Sequence, residues 1–421
     1  MSVRRAALLG LLLPCACHRS DGGAAAVDAA PAAPPAQEAP AALFELAPAR
    51  CKSVGVALAV DDGHGLDDLE IGDTLTYARG IAVDLVHRAA SGRTAAVALL
   101  PPDASSVRVR DLGPTLGDAP PPRLAARGDG LLAVAYGVSH RGDARELVVY
   151  TLSAGGDVKA TGTLAEPRDD SLAFDLAGSL LAWDEATSGP KPHGVIRVAE
   201  VGADGRAGAP RDASPAGSDA EAPRLLPIGA GTFLFWIARR PDAAAVADAS
   251  PVEITGEAPA TSWLEVQPLD AHGGPAGPVR RLTSAMGHVS AFDVQALPGA
   301  NGALAVVRDD GEAVDGSGGA LLRVRVRDIG SEPAVAYPTD GLGRGAPSLV
   351  DASPPWLAWV APREEARLLP LDAAGVPAAR ASVEPQLDEG RPLAVLGPGP
   401  RILVATPADP SAQLRVLSCS L

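Results

Sequence analysis

The four cysteines are the residues of this chain with the widest choice of chemistry, and they fall into two groups. Cys15 and Cys17 lie near the N-terminus with His18 directly after them, whereas Cys51 and Cys419 are separated by most of the chain. The N-terminal group is too closely spaced for a zinc finger, and haem attachment would need the spacing C-x-x-C-H. We therefore expect neither metal nor haem at this group.

The residues before the first two cysteines predict an export signal. Two arginines are followed by eight uncharged apolar or small residues, 6–13, which is the order found in secretory signal peptides. This run is too short to span a membrane, which takes roughly 20 apolar residues. The segment resembles a bacterial lipoprotein signal, in which a small residue precedes the lipidated cysteine. Ala16 before Cys17 fits that pattern, Cys15 is the second candidate, and an ordinary secretory signal is the alternative.

The composition predicts three segments with different roles. Residues 1–16 would be the signal peptide. Residues 17–43 consist largely of alanine, proline and glycine, and such a segment forms a disordered tether rather than a packed core. Residues 44–421 would form the folded domain, held at the cell envelope by the N-terminal lipid and facing either the periplasm or the exterior. The net charge of −15 disfavours nucleic acid as a partner.

Several common catalytic motifs are missing from the sequence, and no metal site or cofactor is expected. The chain has no H-E-x-x-H, no Walker loop and no G-x-S-x-G. Two acidic loops, at 60–70 and 308–319, could offer calcium several carboxylates. Neither loop follows the EF-hand order, so solvated turn residues are the favoured interpretation, with calcium binding left open.

A repeat explains most of the remaining sequence. Seven short apolar runs contain equivalent residues at positions 81, 132, 181, 234, 304, 357 and 403, in steps of 46 to 53 residues except for one of 70. A short strand precedes most of these runs, and an alternating strand with a glycine turn follows them. Four antiparallel strands per unit, repeated seven times, predict an all-β fold: a seven-bladed β-propeller.

The last repeat lacks its fourth strand, which the segment "SVGVALAV" at 53–60 can supply from the N-terminus. This closure removes open sheet edges. It also places Cys51 opposite Cys419, and the same register sets Val54 against Val416 on the apolar face. An exported protein permits disulfides, so we predict a bond between Cys51 and Cys419; two separate free thiols are the alternative.

The chain thus resembles β-propeller lipoproteins of GC-rich bacteria in its architecture. No motif of a specific propeller family supports the resemblance, so it carries over no functional residues and no activity.

The loops between second and third strands, and those joining successive blades, are expected on one face of the disc. Loops on a rigid frame often carry function, so this face is the candidate binding surface. Its rim would hold several basic and histidine side chains: His140, Arg141, Arg145, Lys191, His193, Arg239, Arg240 and Arg308.

The expected function is that of a non-enzymatic scaffold, a monomeric disc that binds an envelope protein through this face. A lyase or hydrolase with its site in the central channel is the main alternative, and a polysaccharide-binding module is a third. Convergent acidic, histidine and arginine side chains in the channel would favour an enzyme, whereas an apolar channel would favour the scaffold.

Overall fold

The computed structural model describes residues 47–48 and 50–53, most of 67–378, and four strands beyond residue 378. Within 67–378 it leaves out 90–91, 104, 118, 139–144, 165–172, 189–192, 230, 240–260, 298–301, 312–318, 328–329, 338, 340, 344, 351–354 and 363–365. The predicted signal peptide, both candidate lipidation cysteines and the predicted tether lie outside the described residues. None of the described segments is a helix long and apolar enough to cross a membrane.

Strands pair into seven sheets, numbered here as blades in chain order. Two short N-terminal strands come first: β1 (Ala47–Pro48) and β2 (Arg50–Ser53). Blade 1 contains β3 (Asp67–Tyr77), β4 (Gly80–Ala89), β5 (Gly92–Leu100) and β6 (Arg108–Pro114). Blade 2 contains β7 (Arg123–Arg127), β8 (Gly130–Val138), β9 (Arg145–Leu152) and β10 (Val158–Thr163). Blade 3 contains β11 (Phe174–Ala177), β12 (Leu180–Ala186), β13 (Gly194–Glu200) and β14 (Arg211–Asp212).

The remaining blades follow the same order. Blade 4 contains β15 (Asp219–Ile228), β16 (Gly231–Arg239), β17 (Ser262–Leu269) and β18 (Arg280–Arg281). Blade 5 contains β19 (Val289–Ala296), β20 (Gly302–Asp309), β21 (Ala320–Arg327), β22 (Gly330–Ser331) and β23 (Val335–Ala336). Blade 6 contains β24 (Ser348–Val350), β25 (Trp356–Val360), β26 (Ala366–Pro370) and β27 (Val383–Glu384). Blade 7 contains β28 (Ala394–Leu396), β29 (Arg401–Thr406) and β30 (Gln413–Ser420).

The sheets form a propeller, as the repeat predicts. The first strands of neighbouring blades contact one another from β3 through β7, β11, β15 and β19 to β24, and β28 contacts β3. Side chains are described for six of the seven sheets, whereas blade 7 is described by its backbone alone.

Large side chains from the second strands pack between blades rather than around a ligand. Trp183 of blade 3 is buried in one cluster with Tyr136 of blade 2, and Trp236 of blade 4 lies in the cluster shared with blade 3. Trp359 of blade 6 packs in the same way against blade 5. Equivalent positions in successive repeats therefore build the core, because each blade buries one face of its neighbour.

The N-terminal strands complete two blades. β2 pairs antiparallel with β30 as the fourth strand of blade 7, and Cys51 lies opposite Cys419. The predicted register is thus present in the backbone over Arg50–Ser53, which is earlier than the predicted strand at 53–60. Residues 54–66 lie outside the described residues, and the disulfide bond stays a prediction. The parallel pairing of β1 with β27 in blade 6 was not expected from the sequence.

Candidate functional site at the central cavity

The basic residues predicted on the loop-rich face do not come together in the described structure. Four of the eight lie outside the described residues: His140, Arg141, Lys191 and Arg240. A fifth, Arg145, is described by its backbone alone.

The three that are described each serve a local contact. Nδ1 of His193 lies 3.1 Å from the hydroxyl of Thr187. Arg239 pairs with Glu221 at 2.5 Å. Arg308 pairs with Asp310 at 2.6 Å and also donates to two backbone carbonyl groups. These side chains fix loops and strand ends, so they form no common site.

The acidic loop at 308–319 has a structural use as well. Oδ1 of Asp309 accepts hydrogen bonds from the N–H groups of His288 at 3.1 Å and Gly311 at 3.0 Å. Among the described residues, no group of three or more histidine, cysteine, aspartate or glutamate side chains is arranged to hold a metal ion.

Charged side chains instead converge at the centre of the propeller. Each comes from the first strand of a different blade, blades 1 to 5 in order, and their charges alternate. We call this set the charged ring; its members are Asp73, Arg123, Asp175, Arg224 and Asp293. They line a central cavity of about 230 Å³.

Arg224 is the hub of the charged ring. It extends from blade 4 across the cavity to blade 1, where its Nη1 donates to Oδ2 of Asp73 at 2.9 Å. The same Nη1 lies 3.6 Å from Oδ1 of Asp175, and Nη2 lies 3.9 Å from Oδ1 of Asp293. Arg123 also donates to Oδ2 of Asp73. One carboxylate of blade 1 therefore holds two guanidinium groups.

Two aspartates of the ring also clamp neighbouring blades. Oδ2 of Asp175 accepts the backbone N–H of Leu225 in blade 4 at 2.7 Å. Oδ2 of Asp293 accepts the backbone N–H of Leu349 in blade 6 at 2.7 Å. Hydrogen bonds to a charged acceptor are stronger than neutral ones, so these carboxylates fix the spacing of the first strands.

A bulge in β15 directs Arg224. The pairing of β15 with β16 shifts register between Glu221 and Arg224, and Ala222 takes a φ of 54°, which is unfavourable for a residue with a side chain. Oδ2 of Asp184 in blade 3 accepts the N–H of Ala222 at 2.8 Å and holds this conformation. Bulges commonly redirect a side chain beside a functional site.

A second bulge, in β3, presents Asp73. The register shifts between Ile71 and Thr74, and Gly72 lies against the buried Asp84 of β4. A Cβ at Gly72 would fall 1.8 Å from Oδ1 of Asp84, so only glycine fits here. Within the described structure, that Oδ1 atom has no hydrogen-bond partner.

The carboxyl groups at the central cavity have different pKa values: that of Asp73 is lowered, whereas the others are raised. Burial raises the pKa of Asp73, but Arg123 and Arg224 outweigh burial and hold it well below its usual range. Burial raises the pKa of Asp293 to about 6, although Arg224 partly offsets this effect. Burial likewise raises the pKa of Asp175, and that of Asp84 rises well above its ordinary value because the side chain is buried and Asp73 lies near.

A second cavity, the mouth pocket, opens directly beside the charged ring. Its volume is about 390 Å³, and it is lined by Pro120, Arg123, Ala173, Phe174, Ala222, Pro223, Arg224, Ile237, Ser290, Ala291, Phe292 and Ala346. These residues lie where first strands begin and second strands end. The mouth pocket is therefore on the loop-rich face predicted from the sequence.

Both guanidinium groups line the mouth pocket and have N–H donors that the described residues do not use. Arg123 and Arg224 line both cavities. Each donates one hydrogen bond through Nη1 to Asp73, and their other carboxylate contacts, from 3.6 to 3.9 Å, are beyond hydrogen-bond length. Because a guanidinium carries five N–H donors, the described residues leave most of them unused.

The charged ring was not predicted from the sequence. Its signal was present: five successive first strands each carry a charged residue next to, or one position from, an apolar residue, as in Arg123–Leu124 and Asp175–Leu176. Those positions were read as part of the repeated strand pattern. The alternation of negative and positive side chains becomes visible only when the first strands are aligned with one another.

No protein-family model and no curated protein matches the chain. Among solved structures, it is similar to the subtype N10 neuraminidase-like protein of A/little yellow-shouldered bat/Guatemala/060/2010, at 10% identity and a TM-score of 0.42, over 71% of this chain and 92% of that one. It is also similar to an apocarotenoid oxygenase of Synechocystis, at 16% identity and a TM-score of 0.43, over 74% and 71%. The hydrazine synthase of Kuenenia stuttgartiensis matches at 13% identity and a TM-score of 0.40, over 74% and 80%. Such likeness concerns the fold and transfers no activity.

Proposed function

We propose that this protein is a ligand-binding β-propeller of the cell envelope, tethered through lipid on Cys17 or Cys15, which takes a small molecule in the mouth pocket. The observation that carries the proposal is the pair of guanidinium groups, Arg123 and Arg224, whose unused donors face a pocket with mostly apolar walls. Ligand sites are commonly apolar concavities with a few convergent polar groups.

Convergent acidic and arginine side chains in the channel were expected of an enzyme, and the charged ring has them. Binding is nevertheless favoured over catalysis because the carboxylates of the charged ring are occupied. Asp175 and Asp293 accept backbone N–H groups of neighbouring blades, and Asp73 accepts both arginines. A general acid or base must reach the substrate, whereas Asp84, whose pKa is strongly raised, is only 1% exposed. The groups that remain available to a ligand are the N–H donors of Arg123 and Arg224.

A fragment screen tests this function. The purified protein would be screened by ligand-observed NMR, and the bound fragments would be located by crystallography. Ala346 is exposed and lines the mouth pocket, so Ala346→Trp should abolish binding without touching the ring. Val158→Trp, on an exposed position of β10, is the matched control and should keep it. Failure of every fragment to occupy the pocket would overturn the proposal.

The scaffold hypothesis stays a second candidate because of one feature of blade 4. The longest segment between a second and a third strand runs from β16 to β17, and it leaves from the same end as the mouth pocket. Affinity capture with crosslinking from native envelopes would compare the intact chain with one lacking residues 239–262. A protein captured only by the intact chain would support the scaffold, and equal capture by both would contradict it.

A further inference from the structure

We propose that the ligand of the mouth pocket is a small monocarboxylate with an apolar body, its carboxylate bound by Arg123 and Arg224 and its body packed against Phe174 and Phe292. This inference rests on the proposed function and specifies its ligand class.

The polar end of the pocket suits a carboxylate. Guanidinium groups are planar forks that bind carboxylates through two parallel hydrogen bonds. Arg123 is 22% and Arg224 is 19% exposed, so both can be reached from the mouth pocket while they stay anchored on Asp73.

The surrounding charges favour a single negative charge on the ligand. Three carboxylates of the ring lie within 4 Å of the two guanidinium groups. Because Coulomb energy scales with charge, a dianion such as a phosphate monoester would double both its attraction to the two guanidinium groups and its repulsion from the three carboxylates, which outnumber them. A cation would meet the two guanidinium groups first, since they alone among the ring members line the mouth pocket.

The walls of the pocket select an apolar body. Apart from the two arginines, Ser290 is the only described lining residue with a polar side chain. Phe174 and Phe292 are buried, with exposures of 3% and 6%, and Ile237 and several proline and alanine residues complete the lining. A sugar or another polyol would lose its hydration here and find only the two guanidinium groups and Ser290 as partners for its many hydroxyl groups.

The volume limits the size of the ligand. About 390 Å³ is at the lower end of the range for small-molecule sites, roughly 300–1,000 Å³. Short fatty acids and simple aromatic carboxylates fit this description.

A matched series of probes tests the ligand class. Binding of 4-phenylbutanoate would be measured by isothermal titration calorimetry against its neutral amide, 4-phenylbutanamide, its amine counterpart, 4-phenylbutylamine, and acetate. We expect 4-phenylbutanoate to bind about tenfold or more tightly than the amide, because hydrogen bonds to a charged group exceed neutral ones. Acetate, which lacks the apolar body, should bind at least about tenfold more weakly.

Variants separate the two ends of the site. Arg123→Lys keeps a positive charge beside Asp73 but loses the fork, so it should weaken binding of 4-phenylbutanoate about tenfold and binding of the amide by less. Ala346→Trp should remove binding of every probe, and Val158→Trp should change none. If Arg123→Lys does not fold, as judged by its unfolding midpoint, the four probes on the unaltered protein still decide the question.

Each outcome is informative. Amide or amine binding as tight as that of the carboxylate would overturn the ligand class while the proposed function stands. The same holds if all four probes fail although fragments of other chemistry occupy the mouth pocket. If no compound of any class occupies the pocket, the proposed function itself fails.

Discussion

Replacing Arg224 with methionine would remove the guanidinium group that spans the central cavity and keep most of the side-chain volume. Three carboxylates would lose their shared partner: Asp73 at 2.9 Å, Asp175 at 3.6 Å and Asp293 at 3.9 Å. Blade 4 would also lose its hydrogen bond to blade 1.

The expected cost follows from the burial of these groups. Removing one partner of a buried ion pair typically costs about 3–5 kcal/mol, because the remaining charge is left uncompensated. Arg224 is 19% exposed, but Asp73 is 46% exposed, so solvent screens its charge, and it keeps Arg123 as a partner. We therefore expect the lower end, about 3 kcal/mol.

Equilibrium urea unfolding at neutral pH measures this loss, and a double-mutant cycle assigns it. Asp73→Asn, alone and combined with Arg224→Met, should give a coupling of about 1–3 kcal/mol, since the two residues are in direct contact. Arg239→Met is the matched control: its partner Glu221 lies at 2.5 Å, yet the side chains are 44% and 36% exposed. Such a surface pair should contribute about 0.2–1 kcal/mol.

A small loss of stability in Arg224→Met would contradict this expectation. If Arg224→Met costs no more than Arg239→Met and the cycle with Asp73 shows no coupling, the contacts across the cavity do not stabilise the ring. The charged ring would then have to be retained for ligand binding alone.

Three further predictions concern the pH dependence of stability, the disulfide bond and the lipidated cysteine. The pKa of Asp293 is raised from 3.8 to about 6, so ionisation of this carboxyl opposes folding. The free energy of unfolding should therefore fall by up to about 3 kcal/mol as the pH rises from about 4 to 6. Urea titrations across that range should show this decrease in the unaltered protein but not in Asp293→Asn. Cys51 and Cys419 should be linked by a disulfide in protein isolated from the envelope, as detected by non-reducing peptide mass spectrometry. Cys419→Ser, which cannot form this bond, should be less stable than the oxidised unaltered protein by up to about 6 kcal/mol. Free thiols at both positions would contradict the prediction. Metabolic labelling with a fatty-acid analogue should be lost in Cys17→Ser, and loss in Cys15→Ser instead would identify the second candidate.

The sequence was sufficient for the architecture because strands carry a local signal. Alternating apolar residues mark each strand, and glycine turns separate them, so the order of strands follows from the chain alone. The register of Cys51 on Cys419 was also predictable, since a one-residue slip turns every side chain to the other face.

The site was not predictable in the same way because its partners are far apart in the chain. Arg224 and Asp73 are separated by 151 positions, and nothing near either residue indicates the other. Arg239 and Arg308, by contrast, looked functional because they are basic residues at loops, yet their charges are used by Glu221 and Asp310. Loop position alone did not distinguish a residue that fastens a loop from one that could bind a ligand.

The pairing of the two N-terminal strands has a mechanical consequence. β1 joins the edge of blade 6 through two residue pairs, and β2 joins blade 7 through four. A force that pulls on the chain from its N-terminal side would reach β1 before β2. The two pairs of β1 would therefore yield first and absorb the initial load, while the strand that closes the propeller stays in place.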